Sequence, residues 1–142
     1  MRLLFDSNAV RAYAEQTPTL VRNLARASNP ELAIPVVVLV EQWRGRQDAL
    51  VKATPDRVLV EQRKFIETKT LLKKFSFVYF DQQAVQTLTN LQSRFRTKKR
   101  YVDVMIAALA MSSRCVLVTR NTKDFADLLP AAQLQNWIDH VY

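Results

Sequence analysis

Four short apolar runs, at residues 3–5, 32–34, 77–80 and 115–118, recur along the chain, and each is separated from the next by enough residues for one or two helices. Runs of this length, bounded by polar and turn residues, read as buried strands, and their alternation with helical stretches implies parallel pairing with helical crossovers. A fifth, edge strand is expected within 132–137. Glycine occurs once in 142 residues, at Gly45. That excludes a glycine-rich phosphate loop and argues against a sandwich of tight hairpins.

The intervening stretches carry helix signals. Residues 8–15 and 18–27 suit two short helices, the second with Thr17 as cap and Pro18 at its first position. Pro35 is expected to open a helix through Glu41. Asp56 is expected to cap one reaching about Lys74, and Asp81 one from Gln82 to about Arg96. No repeat, linker or low-complexity stretch interrupts the pattern, so residues 1–142 are read as one domain.

Lys and Arg number 21 against 13 Asp and Glu, a net charge of +8. Such a balance points to an anionic polymer as partner, although a basic surface also serves solubility alone. Cys115 is the only cysteine and lies in an apolar run, which suits a buried thiol in a reducing compartment. No apolar segment is long enough to span a bilayer and the chain begins directly with a strand-like run; a cytoplasmic protein is expected.

Asp6, Glu41, Asp103 and Asp124 each stand at the end of, or inside, an apolar run. Asp103 is the only charge between residues 101 and 111; on a helix it shares a face with Ile106, Ala107 and Ala110, where a lone carboxylate is costly. Asp6 follows the first strand and Asp124 the fourth, and ligands of open parallel sheets bind beyond the carboxyl ends of strands. Carboxylates about 4 Å apart repel by roughly 4 kcal/mol at an effective dielectric near 20, so four of them in one cleft call for a cation. All-oxygen ligands select Mg²⁺ or Mn²⁺ over Zn²⁺, and phosphodiester hydrolysis is the matching chemistry. Each acid also has a plainer reading: Asp6 as a strand-end turn residue, Asp124 as a carboxylate in the first turn after an Asn121 cap, Glu41 as a partner of Arg44 or Arg46, and Asp103 as a partner of a buried cation.

Taken together, LLFDSN at residues 3–8, VVVLVEQWRG at 36–45, YVDVMIAALA at 101–110 and LVTRNTKDF at 117–125 resemble, in order and spacing, the motifs of PIN domains, and among these the VapC-type toxins of toxin–antitoxin pairs. Ser7 replaces the usual threonine of the first motif, and residues 112–114 lack the glycine common before the fourth strand. The resemblance spans nearly the whole chain. It implies a three-layer αβα fold with a central, mainly parallel sheet of four or five strands; metal binding and catalysis by Asp6, Glu41, Asp103 and Asp124; and support from Asn8, Thr119 and Asn121. It further implies an RNA substrate, a homodimer, and a small antitoxin whose C-terminal segment wraps the toxin.

Arg94, Arg96, Lys98, Lys99 and Arg100 precede Asp103 closely, so a basic rim is expected to guide a phosphate backbone toward the acids; a solvated helix end with dipole-favouring cations is the alternative. Phe95 and Tyr101 are read as packing residues rather than base-stacking ones. Trp43 and Trp137 are read the same way, with Trp43 also a candidate protein-contact anchor, and His140 has no catalytic role. Two rival functions remain: a non-catalytic RNA-binding module, and a phosphoacceptor domain with Asp81 as acceptor.

Overall fold

A computed structural model describes residues 1–94 and 100–142. Along the chain run β1 (Arg2–Phe5), α1 (Ser7–Ala14), α2 (Pro18–Arg26), β2 (Glu31–Pro35), α3 (Val36–Val51), α4 (Val58–Leu72), β3 (Ser76–Val78), α5 (Gln82–Arg94), α6 (Tyr101–Ser112), β4 (Val116–Val118), α7 (Thr122–Phe125) and β5 (Leu134–Gln135). Among the described residues five strands form one sheet, in the order β3-β2-β1-β4-β5. Every pairing is parallel.

Strand β1 is central, and Leu3, Leu4 and Phe5 are fully buried, as expected of a strand covered on both faces. The chain moves from β1 outward to β2 and β3, then returns to the other side of β1 to form β4. Right-handed crossovers therefore put the helices of the outward path and those of the return path on opposite faces of the sheet. The reversal opens a crevice between β1 and β4 at their carboxyl ends. Phe5 is in register with Val118, so the next residues, Asp6 and Thr119, emerge side by side at that crevice.

Local details depart from the sequence expectations where tertiary structure overrides a cap signal. Pro35 does not open α3: it remains extended (φ −65°, ψ 146°) and pairs with Val78 in the ladder, and the helix begins one residue later. Thr17 precedes α2 without a side-chain cap bond; only its carbonyl accepts, from Val21 N–H. Asp56 accepts instead from the Thr54 hydroxyl at 2.5 Å, and α4 starts after Arg57. Asp81 does cap α5, accepting from Ala84 N–H at 2.8 Å. Helix α6 ends without glycine because Arg114 adopts the left-handed conformation (φ 54°), letting Cys115 N–H reach Ala110 O and Arg114 N–H reach Met111 O.

Gly45 lies inside α3, where glycine costs about 1 kcal/mol relative to alanine. Its φ is not positive, and a Cβ added there would meet no atom of the described residues within 4 Å beyond its own stretch of helix. Among the described residues, neither backbone conformation nor packing requires it. Among the described residues, no helix is long and apolar enough to cross a membrane.

Candidate active site

Asp6 is the buried centre of the crevice, 6% exposed. One carboxylate oxygen caps α1 by accepting from Ala9 N–H at 2.9 Å, and the other accepts from the Thr119 hydroxyl at 2.5 Å. Thr119 is itself fully buried, and its oxygen accepts from Asn121 N–H at 2.9 Å. The chain Asn121–Thr119–Asp6 thus ties the end of β4 to the end of β1. Burial raises the Asp6 carboxyl above its ordinary value; the Thr119 hydroxyl and the Ala9 and Asn8 backbone N–H groups oppose this, and Asp103 adds to it. Asn8 therefore acts on Asp6 through its backbone.

Asp103 is in the first turn of α6, half-buried. Its carboxyl is also raised, first by burial, then by repulsion from Asp124, with Glu41 adding further and Arg100 opposing. Asp103 thus feels acids from α3 and α7 and is felt by the acid after β1, so all four sequence-derived acids belong to one electrostatic neighbourhood. Among the described residues, however, no three of them are gathered tightly enough to grip an ion as they stand.

Glu41, which the sequence sets at the end of an apolar run, does not share the burial of that run's Val38. It is exposed, and its carboxylate reaches across to accept from the Ser7 hydroxyl at 2.8 Å. Ser7 is a residue whose role the sequence showed only as a hydroxyl in place of threonine. Asp124 is exposed on α7, where the Asn121 side chain makes no cap bond.

Arg100 provides a contact the sequence did not reveal. Its guanidinium donates to both carboxylate oxygens of Asp127, at 2.8 and 2.9 Å, and to the backbone carbonyl of Asp124. It clamps α7 against the start of α6, next to Asp103. Arg94 is exposed at the end of α5, and Arg96, Lys98, Lys99 and Phe95 lie outside the described residues. Tyr101, read from sequence as a packing residue, is 56% exposed. Trp43 packs on Phe65 with ring centroids 5.1 Å apart, and Trp137 is buried. Cys115 is a buried free thiol.

The PIN domain family model matches residues 3–128. The chain belongs to the PIN domain family. No curated protein sequence matches it. Its fold is similar to that of chains in solved structures: VapBC2 from Rickettsia felis bound to a promoter DNA fragment (TM-score 0.74, 22% identity, covering 96% of this chain and 99% of that one); VapBC-1 from nontypeable Haemophilus influenzae (0.72, 19%, 96% and 98%); and DNA-bound VapBC from Salmonella typhimurium (0.71, 21%, 96% and 98%).

Proposed function

We propose that the chain is a Mg²⁺- or Mn²⁺-dependent endoribonuclease and the toxin of a VapBC-type toxin–antitoxin pair. The observation that carries this reading is the convergence on Asp103 of repulsion from acids on two other helices, beside the buried Asp6 that Asp103 in turn perturbs. Like charges collected at a strand-switch crevice, in a domain with a net charge of +8, suit a cation and a polyanion better than they suit stability. The donors are hard carboxylate oxygens, which fits Mg²⁺ or Mn²⁺ in chemistry and charge.

Asp6, Glu41, Asp103 and Asp124 hold the ion in this reading. When bound, it supplies Lewis acidity toward a phosphodiester and toward hydrolytic water. The protein's own groups orient the acids: Thr119 and the start of α1 fix Asp6, Ser7 holds Glu41, and Arg100 keeps the Asp124 backbone beside α6. Asn8 and Asn121 act through their N–H groups, directly and by way of Thr119. The basic residues Arg94, Arg96, Lys98 and Lys99 attract the RNA backbone, whereas Arg100, expected from sequence to join them, is engaged by Asp127. A small antitoxin is the expected protein partner, as the VapBC names of the similar structures suggest, and a homodimer is expected beside it.

The test is cleavage of total RNA with Mg²⁺, with Mn²⁺ and with chelator, by wild type and by Asp6→Asn and Asp103→Asn. Wild-type cleavage is expected with either ion and not with chelator, and each substitution is expected to reduce it by about a hundredfold or more while leaving the circular dichroism spectrum intact. Equal cleavage by all three proteins would reject the site. RNA binding without cleavage under any metal condition would instead identify a non-catalytic module.

A further inference from the structure

A groove leaves the acidic crevice beside Glu41 and runs between α1, α3 and α4. Its first part, about 310 Å³, begins at Ser7 and Glu41 and is walled by Arg11, Gly45, Arg46 and Thr68. A second hollow of about 530 Å³ shares Ala14, Arg46, Thr68 and Leu71 with it and continues to Lys64, Glu67 and Lys74. The two run together as one path away from the site.

Three features of this path point to an anionic strand. Arg11 on α1 and Arg46 on α3 both line its walls, and among the described residues neither guanidinium has a hydrogen-bond or ion-pair partner. Arg46 is nonetheless partly buried, so its charge is held at the groove rather than spread into solvent. Gly45, the chain's only glycine, lines the same wall although the molecule's own packing leaves open space around it. A glycine that nothing among the described residues requires fits a surface that something outside must approach closely.

We infer that this groove is a subsite for single-stranded RNA flanking the scissile phosphate, in which Arg11 and Arg46 bind backbone phosphates and Gly45 leaves room for the sugar-phosphate strand. The inference rests on the ribonuclease reading for the identity of the polyanion, while the groove itself stands on its own residues. Guanidinium groups bind phosphate oxygens bidentately. The groove's start at Glu41 places such contacts next to the proposed reaction centre.

The test is fluorescence anisotropy with a labelled single-stranded RNA of about 12 nucleotides across a salt series, in chelator so that cleavage does not intervene. Four proteins are compared: wild type, Arg11→Ala/Arg46→Ala, Gly45→Leu, and an α2 control, Arg22→Ala/Arg26→Ala, which removes the same charge outside the groove. The Arg11/Arg46 variant is expected to bind about tenfold or more weakly, with its log–log salt slope shallower by about 1.4, two phosphate contacts at about 0.7 each. Gly45→Leu is expected to weaken binding with the slope little changed, because it blocks the path and keeps both charges. Its melting temperature should not fall. The control should stay close to wild type.

Unchanged affinity and slope in the Arg11/Arg46 variant, or an equal loss in the α2 control, would overturn the inference. So would binding of a polyglutamate peptide that depends on Arg11 and Arg46 when RNA binding does not, since the groove would then belong to an acidic protein segment. The two readings fail separately. Arginine-dependent RNA binding by a wild type that never cleaves would leave the groove standing and remove the ribonuclease, whereas metal-dependent cleavage with arginine-independent binding would do the reverse.

Discussion

Helix α6 and the α3–α4 pair both carry apolar residues in abundance, but the fold uses them differently. In α6, Val104 and every residue from Ile106 to Ala110 are buried. In α3 only Val38 is, and in α4 only Leu72, while Val40, Val51, Leu59 and Ile66 are each more than half exposed. The first element is scaffold, and it delivers Asp103 to the crevice on a rigid support. The second is a surface layer that delivers Glu41 on an exposed side chain and leaves an apolar face outward. Large exposed apolar surface of this kind is characteristic of protein-contact regions, in keeping with the proposed dimer or antitoxin contact.

The contrast is sharpest in stability. Leu109→Ala in α6 is expected to lower unfolding free energy by about 2–5 kcal/mol, and Leu59→Ala in α4 to change it by no more than about 0.5 kcal/mol. Denaturant unfolding of the two variants measures both. Comparable losses would mean that the α3–α4 layer is as much core as α6.

The link between β1 and β4 should rank next. Thr119→Val removes the hydroxyl that donates to Asp6 and accepts from Asn121 N–H, leaving a buried carboxylate short of a donor. A loss of about 1–3 kcal/mol is expected. Carboxyl titration by NMR should show Asp6 moving still higher, because the hydroxyl now holds it down.

The acids themselves set a pH dependence. The folded-state values of Asp6 and Asp103 are raised, so their contribution to stability is fully present below the unfolded carboxylate range and is lost as pH rises through the folded values. At neutral pH, metal-free Asp103→Asn is therefore expected to melt higher than wild type. The gap should close below about pH 4, where both forms are neutral. A lower melting temperature for the variant at neutral pH would show that Asp103 is a stabilising ion-pair member. The smallest expected effect is at the end of α6: Arg114→Gly relieves a left-handed non-glycine residue and should add up to about 1 kcal/mol.

Much of this architecture is legible in the sequence because its signals are local and agree with one another. The strand runs at 3–5, 32–34 and 115–118 fall within a residue or so of β1, β2 and β4, and the segment 132–137 contains β5. Strand β3 ends at Val78, short of the expected run, because Tyr79 and Phe80 lie beyond its pairing with Pro35. Pro35 departs from its expected place at a helix start because a proline suits both a helix start and a strand end, and only the ladder to β3 decides between them. At the site, Asp6 and Asp103 stood out through charge inside apolar surroundings. The Ser7–Glu41 bond and the Arg100–Asp127 clamp span 34 and 27 residues between exposed side chains, and no periodicity marks such pairs. Phosphoacceptor chemistry at Asp81 finds no support in its geometry, since that carboxylate is engaged as a helix cap beside an edge strand.

The central claim is that four acids from distant parts of the chain act as one site for a hard dication. Calorimetric titration of Mn²⁺ into wild type, Asp6→Asn, Glu41→Gln, Asp103→Asn and Asp124→Asn tests it without reference to any substrate. Saturable binding by wild type, weakened by about tenfold or more in every variant, is the predicted result. Unaltered Mn²⁺ affinity in Asp6→Asn and Asp103→Asn would contradict it.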